Sequence, residues 1–230
     1  MNIFSLRKVT LVCFCLLFVS WSPSKPKLFL IGDSISVQYW PYLKENISYM
    51  ADIDRKNDDG QAEKNLDVPT GANGGDSRMV LEYLRAKFRD SSFKPDYLLL
   101  NCGLHDIKHD PKTGVIQVKE EDYRSYLNEI VRLLKKNKVK LVWIRTTWVI
   151  DDVHNKKSSS IRRYEADVLK YNAIADEVCQ KNKIPAIDLY TFSKQLGAEQ
   201  IIDHVHYSKP AQALQAAYIS GFMQKILKSY

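Results

Sequence analysis

Short apolar segments alternate with longer amphipathic segments along most of this chain. Five segments have the length and apolar content of buried or half-buried strands, namely 27–32, 48–55, 96–103, 139–147 and 184–190. Five others carry apolar residues at helical spacing, namely 36–47, 77–88, 120–137, 160–182 and 210–227. The pattern therefore predicts five strands that alternate with helices.

Strands separated by helices of crossover length are typical of a parallel sheet with helices on both faces. The sequence thus predicts an α/β fold, a three-layer α/β/α sandwich around a mainly parallel five-stranded sheet. Residues 25–230 suit one domain of this kind. Pro41 is expected to interrupt or delay the first helix, and residues 56–75 are expected to form a long, polar, glycine-bearing loop.

In open parallel sheets, ligands bind beyond the carboxyl ends of the strands, so the residues at those ends are examined first. Gly32-Asp33-Ser34 follows the first strand, and Gly103-Leu104-His105-Asp106 follows the third. Thr146, Thr147 and Trp148 follow the fourth, and Asp203 and His206 lie beyond the last. A serine at the end of a strand has two interpretations: it caps a helix, or it is a nucleophile.

Asp203 and His206 supply what a nucleophilic serine needs. A histidine accepts the hydroxyl proton near neutral pH, and a carboxylate fixes its tautomer and stabilises the imidazolium. Their three-residue offset can place the carboxylate against the ring while the ring reaches Ser34. Acyl transfer also needs donors for an oxyanion. The candidates are the N–H groups of Ser34 and Gly75 and a side chain from the loop after the third strand.

Three motifs together resemble the SGNH, or GDSL-type, hydrolase family. They are GDSIS at 32–36, NGGDS at 73–77 and DHVH at 203–206, and the resemblance covers nearly all of residues 25–230. It implies a flavodoxin-like SGNH hydrolase fold. It also implies a catalytic triad of Ser34, Asp203 and His206, an oxyanion hole that includes Ser34 and Gly75, and no cofactor or metal ion.

One motif departs from the family pattern. The third block of the family usually reads G-x-N-D, with an asparagine that donates to the oxyanion, whereas this chain has Gly103-Leu104-His105-Asp106. His105 stands at the asparagine position in this comparison. A ring N–H can also donate, so His105 is expected to complete the oxyanion hole.

The N-terminus and the charge balance bear on location and partners. Residues 1–24 combine Arg7 and Lys8 with an apolar run and small residues, which predicts an export signal and a periplasmic or extracellular protein; an uncleaved anchor is the alternative. No nucleic-acid-binding motif accompanies the net charge of +7. That charge indicates either a solvated basic surface or a mild preference for anionic partners.

The expected activity is hydrolysis of a short acyl ester, most simply an acetyl group on a carbohydrate. A lysophospholipase or thioesterase would use the same residues and is the first alternative. A metal-dependent hydrolase is the second. It would be built on His105, Asp106, His109 and Asp110, with possible ligands from Asp203, His204 and His206. A non-catalytic carbohydrate-binding protein with an impaired oxyanion hole is the third.

Several other residues have alternative interpretations. Tyr39, Trp40 and Trp148 could line a substrate pocket or belong to the core. His109 and His154 are expected at the surface, and Cys102 is expected to pack at the end of a strand rather than to act as a nucleophile.

Overall fold

A computed structural model describes residues 24–57 and 59–228. Its centre is a five-stranded sheet in which every pairing is parallel, with strand order β2-β1-β3-β4-β5. The strands are β1 (Lys27–Ile31), β2 (Asp52–Arg55), β3 (Tyr97–Leu100), β4 (Lys140–Ile144) and β5 (Ala186–Ile187). The central β3 is buried at all four residues, as expected for a strand covered on both faces. The predicted α/β fold with a parallel five-stranded sheet is confirmed.

Eight α-helices accompany the sheet in the described part of the chain. They are α1 (Ser34–Ile47), α2 (Gln61–Lys64), α3 (Ser77–Lys87), α4 (Glu120–Lys136), α5 (Asp151–Lys157), α6 (Glu165–Asn182), α7 (Leu189–Gln195) and α8 (Lys209–Lys228). Helix α8 packs against α1 and α7, while α4 packs against α3 and α6. The long helices thus form two packed groups, as the two outer layers of an α/β/α sandwich require.

Helix α1 differs from its prediction at both its start and its proline. It begins at Ser34, because the side chain of Asp33 accepts the N–H of Ile35 at 3.0 Å and caps the first turn. Pro41 lies inside the helix on its exposed face and neither interrupts nor delays it. The cap therefore determines where α1 begins, and the serine after the strand is its first residue.

Short elements account for the other differences from the sequence prediction. Helix α2 lies within the predicted loop 56–75, and α5 and α7 were not predicted. The predicted strand 184–190 is shortened to Ala186–Ile187, because Asp188 accepts the N–H of Thr191 at 3.1 Å and starts α7. Elements of seven residues or fewer span at most two turns, too few for a periodic pattern to be distinguished.

The predicted export signal lies outside the described residues, apart from Ser24. It therefore remains a prediction. Within the part of the chain that the structure describes, no helix has the length and apolar character needed to cross a bilayer.

Gly103, directly beyond β3, marks a close approach between two strand ends. A Cβ at this position would collide with Oγ1 of Thr146 and lie 3.1 Å from its Cβ. Thr146 is held in place, because its Oγ1 donates to the Cys102 carbonyl at 3.2 Å and its N–H donates to Asn172 at 2.9 Å. This loop leads directly to His105, so the packing at Gly103 positions a candidate site residue.

Replacing Gly103 with alanine should lower the free energy of unfolding by about 1–3 kcal/mol, the usual cost of overpacking a core. Urea titration followed by circular dichroism measures this change. Gly221→Ala is the matched control, since nothing lies within 4 Å of its added Cβ in α8. That substitution should be neutral or stabilising by up to about 1 kcal/mol. Equal effects of the two substitutions would contradict the proposed collision.

Candidate active site

Ser34 lies where β1 passes into α1, at the carboxyl edge of the sheet. It is 4% exposed, and Gly32 and Asp33 separate it from the strand. Asp33 caps the helix, and Ser36 Oγ donates to the Asp33 carbonyl at 2.6 Å. The Asp33 cap sets where α1 begins and therefore where Ser34 lies, and the Ser36 hydrogen bond adds to the stability of this turn.

Asp203, His206 and Ser34 form a continuous hydrogen-bonded chain. His206 Nε2 lies 2.9 Å from Ser34 Oγ, and His206 Nδ1 lies 2.7 Å from Asp203 Oδ2. With Nδ1 donating to the carboxylate, Nε2 is free to accept the serine proton. The three-residue offset between Asp203 and His206 thus places the carboxylate against the ring, as the sequence predicted.

The backbone around Asp203 holds its carboxylate in the ionised form. Burial raises the pKa of the Asp203 carboxyl, but hydrogen bonds from the His206 ring and two backbone N–H groups outweigh it, so the pKa lies well below its usual range. Those N–H groups belong to Val205 and His206, and each donates to Oδ1 at 2.8 Å. The carboxylate therefore stays charged throughout the pH range in which His206 would act as a base.

The NGGDS segment lies beside the serine turn, but one of its N–H groups is engaged. Gly74 N–H donates to the Gly32 carbonyl at 2.7 Å, which ties the segment to the end of β1. Gly75 has φ of +73°, a conformation that favours glycine. Its N–H donates to Asn73 Oδ1 at 3.0 Å. This N–H can therefore reach an oxyanion only by sharing or exchanging its present acceptor.

His105 lies in the loop after β3 and is only 3% exposed. Within the described residues, its ring makes no hydrogen bond to protein. Burial, with the nearby charges of Lys108, Arg163 and His206, holds the pKa of His105 well below its usual range. A neutral imidazole keeps one N–H donor, so His105 has a donor that no described protein group uses.

Asp106, the next residue, anchors this loop to the start of α3. Its Oδ1 accepts both the N–H of Ser77, at 2.9 Å, and the Ser77 hydroxyl. Burial raises the pKa of Asp106 to about 7. The second and third sequence motifs are thus joined by direct hydrogen bonds, which fixes His105 relative to the NGGDS segment.

Arg163 is a buried cation beside the same loop. It is 2% exposed. Its Nε donates to the Leu104 carbonyl at 2.6 Å, and its Nη1 lies 2.9 Å from His154 Nε2. His154 is fully buried, so the prediction that it lies at the surface is wrong. Its burial is explained by its role as the acceptor for the Arg163 guanidinium.

His204 and Asp67 form a second histidine–carboxylate pair next to the first. His204 Nε2 lies 3.0 Å from Asp67 Oδ1, and the His204 and His206 ring centroids are 5.3 Å apart. One ligand atom from each of Asp67, His204 and His206 lies within 4.8 Å of the others. These three residues could therefore hold a metal ion.

The metal-binding set predicted from HDIKHD is not assembled. His109 contacts Asp167 at 2.8 Å and the Gly114 carbonyl at 3.0 Å. Asp110 accepts N–H groups from its own turn, and Asp106 is bound to Ser77. In the described residues, this set does not converge on a common point. The proline and glycine that follow prevent the helix on which that alternative depended.

Three further predictions concern burial. Cys102 is fully buried, and burial raises the pKa of its thiol well above the usual range, which excludes a thiolate nucleophile at neutral pH. Tyr39 and Trp40 belong to the hydrophobic core, and Trp148 packs against it half-buried. The core interpretation therefore holds for Tyr39 and Trp40.

Sequence reasoning missed Arg163, Lys108 and Asp67. Lys108 is three residues after His105, and this short separation in sequence could have indicated that it lies near the site. Arg163 and Asp67 reach the site only through contacts between distant segments. The Arg163–Leu104 hydrogen bond spans 59 positions and the His204–Asp67 contact spans 137. No local pattern in the sequence indicates such pairs.

Several solved structures of similar fold are described as hydrolases or esterases. A lipase/acylhydrolase from Enterococcus faecalis is 18% identical, with a TM-score of 0.64 over 87% of this chain and 96% of that one. A psychrotrophic esterase from Pseudoalteromonas sp. is 13% identical, with a TM-score of 0.63 over 89% of this chain and 100% of the other. An acetylxylan esterase from Geobacillus stearothermophilus is 18% identical, with a TM-score of 0.60 over 85% and 93%. At these identities, the likeness shows the fold.

Sequence comparison supplies the family. No curated protein matches the chain. The profile of the GDSL-like Lipase/Acylhydrolase family matches residues 30–214, which include both the Ser34 turn and the Asp203–His206 pair. The chain therefore belongs to this family and is a carboxylic ester hydrolase of the GDSL, or SGNH, type.

Proposed function

We propose that the protein is an exported serine esterase that removes short acyl groups, most simply acetyl, from a carbohydrate. The observation that carries the catalytic part is the hydrogen-bonded chain from Asp203 through His206 to Ser34. A serine hydroxyl is a weak nucleophile unless a base is in contact with it. Here the base is in contact, and a carboxylate orients the base.

In the proposed mechanism, Ser34 Oγ attacks the ester carbonyl while His206 Nε2 takes its proton. The carbonyl oxygen becomes an oxyanion, and the tetrahedral intermediate collapses as His206 returns the proton to the departing alcohol. Water, deprotonated by His206, then attacks the acyl-Ser34 ester, and His206 returns that proton to Ser34 Oγ as the carboxylic acid is released. Asp203 stabilises the imidazolium in both halves of the reaction.

Three donors are proposed for the oxyanion. The N–H of Ser34 lies in the first turn of α1, where backbone N–H groups have no partner within the helix. The His105 ring has no protein acceptor within the described residues. Gly75 N–H completes the set if the oxyanion displaces Asn73 Oδ1, its present acceptor. The proposal keeps His105 in the position that an asparagine usually takes in this family.

The substrate part of the proposal rests on two lines of support. The similar folds include a protein described as an acetylxylan esterase and one described as an acetyl-xylooligosaccharide esterase. The predicted export signal would bring the enzyme to polysaccharides outside the cytoplasm. A lipid or thioester substrate would use the same triad and is the competing assignment.

Acyl-chain preference distinguishes these assignments. We expect 4-nitrophenyl acetate to be turned over with a kcat/KM at least about tenfold above that of 4-nitrophenyl octanoate or decanoate, as a short acyl site excludes long chains. Dialysis against EDTA should leave the activity unchanged, since the triad needs no metal. Preference for the long chains would move the assignment to lipids or thioesters. Loss of activity with EDTA and its return with zinc would instead support a metal role for Asp67, His204 and His206.

A further inference from the structure

In the described part of the chain, two cations near His105 have no carboxylate within ion-pair distance. They are Lys108 and Arg163, and each has a charge that acts on His105. Within the described residues, no ion pair at 4.0 Å or less involves either of them, although such pairs hold other cations, for example Arg145 with Asp176. Lys108 is half-buried and Arg163 is 2% exposed. Buried or half-buried cations without a counterion are uncommon, because desolvation of a charge is costly.

The hydrogen bonds of Arg163 leave part of its guanidinium unused. Nε donates to the Leu104 carbonyl and Nη1 contacts His154. Nη2 makes no hydrogen bond to any described residue. Part of its surface remains accessible, because it is absent from the set of fully enclosed polar atoms without a partner. Guanidinium groups bind carboxylate and sulfate oxygens readily, since their donors form a fixed planar fork.

The charge of Arg163 also acts on Lys108. Burial, followed by the charge of Arg163, lowers the pKa of Lys108 to about 8. Burial lowers the pKa of Arg163 to about 10. Asp33 and Asp67 favour the charged form of Arg163, and Asp67, Asp76 and Asp106 favour that of Lys108, but in the described residues none of these carboxylates forms an ion pair with either cation. A negative charge bound between the two cations would stabilise both further.

The nearby carboxylates each make other hydrogen bonds, and Asp76 caps α3, although Oδ2 of Asp106 is buried without a partner. Asp33 caps α1, and Asp67 is paired with His204. Asp106 accepts two hydrogen bonds from Ser77. A purely structural role would explain the Nε and Nη1 contacts of Arg163. It would not explain why the Lys108 side chain is half-buried near Arg163 while its Nζ makes no hydrogen bond or ion pair with another described residue.

We propose that Lys108 and Arg163 form a subsite for a negatively charged group on the substrate, beside His105. This inference rests on the proposed esterase function and adds the substrate class. An acetyl group is neutral, so the charge belongs to the alcohol part, as in an O-acetylated acidic sugar that carries a carboxylate or a sulfate. The subsite would orient that sugar with its ester carbonyl near Ser34.

Two acetylated sugars that differ at one carbon test the proposal. Methyl 2-O-acetyl-glucoside has a hydroxymethyl group at C6, and methyl 2-O-acetyl-glucuronide has a carboxylate there. Acetate release should give a kcat/KM about tenfold or more higher for the glucuronide, since hydrogen bonds between charged groups are stronger than those between neutral groups. The 6-O-sulfated glucoside distinguishes sulfate from carboxylate as the preferred anion. Equal or lower kcat/KM for both anionic sugars than for the neutral sugar would overturn the subsite.

Lys108→Met tests whether this residue causes the preference, and Lys112→Met is its matched control. Lys112 is exposed on the same loop, so its replacement removes the same charge away from the rim. We expect the ratio of kcat/KM for anionic to neutral sugar to fall about tenfold in Lys108→Met and to stay at the wild-type value in Lys112→Met. An equal loss of turnover on both sugars in Lys108→Met would show a structural role and overturn the proposal.

The outcome can be separated from failure of the proposed function. Turnover of the neutral acetylated sugar, lost in Ser34→Ala, supports the esterase assignment whatever the charge preference. If neither sugar nor 4-nitrophenyl acetate is hydrolysed, the proposed function fails, and the subsite fails with it. If the neutral sugar is hydrolysed without any preference for the anionic sugars, only the subsite fails.

Discussion

Replacement of Ser34 with alanine should abolish ester hydrolysis and leave the protein folded. The substitution removes the nucleophile and the hydrogen bond to His206 Nε2. In triads of this type, loss of the serine lowers kcat by roughly 10⁴–10⁶-fold, and the residual rate comes from the oxyanion hole and substrate binding. The measurement is kcat for 4-nitrophenyl acetate, with the far-ultraviolet circular dichroism spectrum and thermal midpoint recorded on the same samples.

Ser36→Ala is the matched control, because Ser36 is a second buried serine two positions along α1. Its hydroxyl donates to the Asp33 carbonyl at 2.6 Å and does not contact His206. Removing it should lower stability by about 1 kcal/mol, the usual net value of a hydrogen bond, while turnover stays close to that of wild type. Activity of Ser34→Ala within about tenfold of wild type would refute its assignment as the nucleophile.

The sheet could be predicted from the sequence because most of its strands are short and apolar, although in β2 three of the four residues are charged. Buried strands such as Tyr97–Leu100 are almost uniformly hydrophobic, and the amphipathic Glu120–Lys136 has clear helical spacing. The apolar pattern gave the wrong boundary where a side-chain cap decides where a helix begins. Asp188 starts α7 inside a stretch that looks like a strand, since a side-chain cap acts on the next turn without changing the apolar pattern.

The arrangement of Ser34, Asp203 and His206 in space could also be predicted, because two of these residues are three positions apart and the third lies at a strand end. The sequence cannot show how hydrogen bonds at the rim are shared. Gly75 N–H donates to Asn73, and a motif cannot indicate that this donor is already engaged. His154 was predicted to lie at the surface because it is polar, yet its ring is buried against Arg163. A buried guanidinium needs hydrogen-bond acceptors, and segments distant in sequence can supply them.

In the proposed mechanism, the strength of the oxyanion hole depends on His105. Its burial and the neighbouring cations hold its pKa well below 6.5. A histidine is neutral at any pH above its pKa. Because the pKa of His105 is lowered, its ring is neutral and carries one N–H donor across about pH 6–8. A positively charged ring would instead repel the His206 imidazolium that forms during catalysis. The low pKa therefore suits a donor that must not compete with the base.

His105→Ala should lower kcat by roughly 10²–10³-fold, the usual cost of one lost oxyanion donor. His105→Asn should be much milder, since an amide N–H can take the place of the ring N–H.

The ratio of the wild-type to the His105→Asn rate should be flat between about pH 6 and 8, because the neutral ring does not titrate there. A rate for His105→Ala equal to wild type would make His105 structural. Equal losses in both variants, or a ratio that rises as the pH falls, would show that the neutral ring N–H is not the donor.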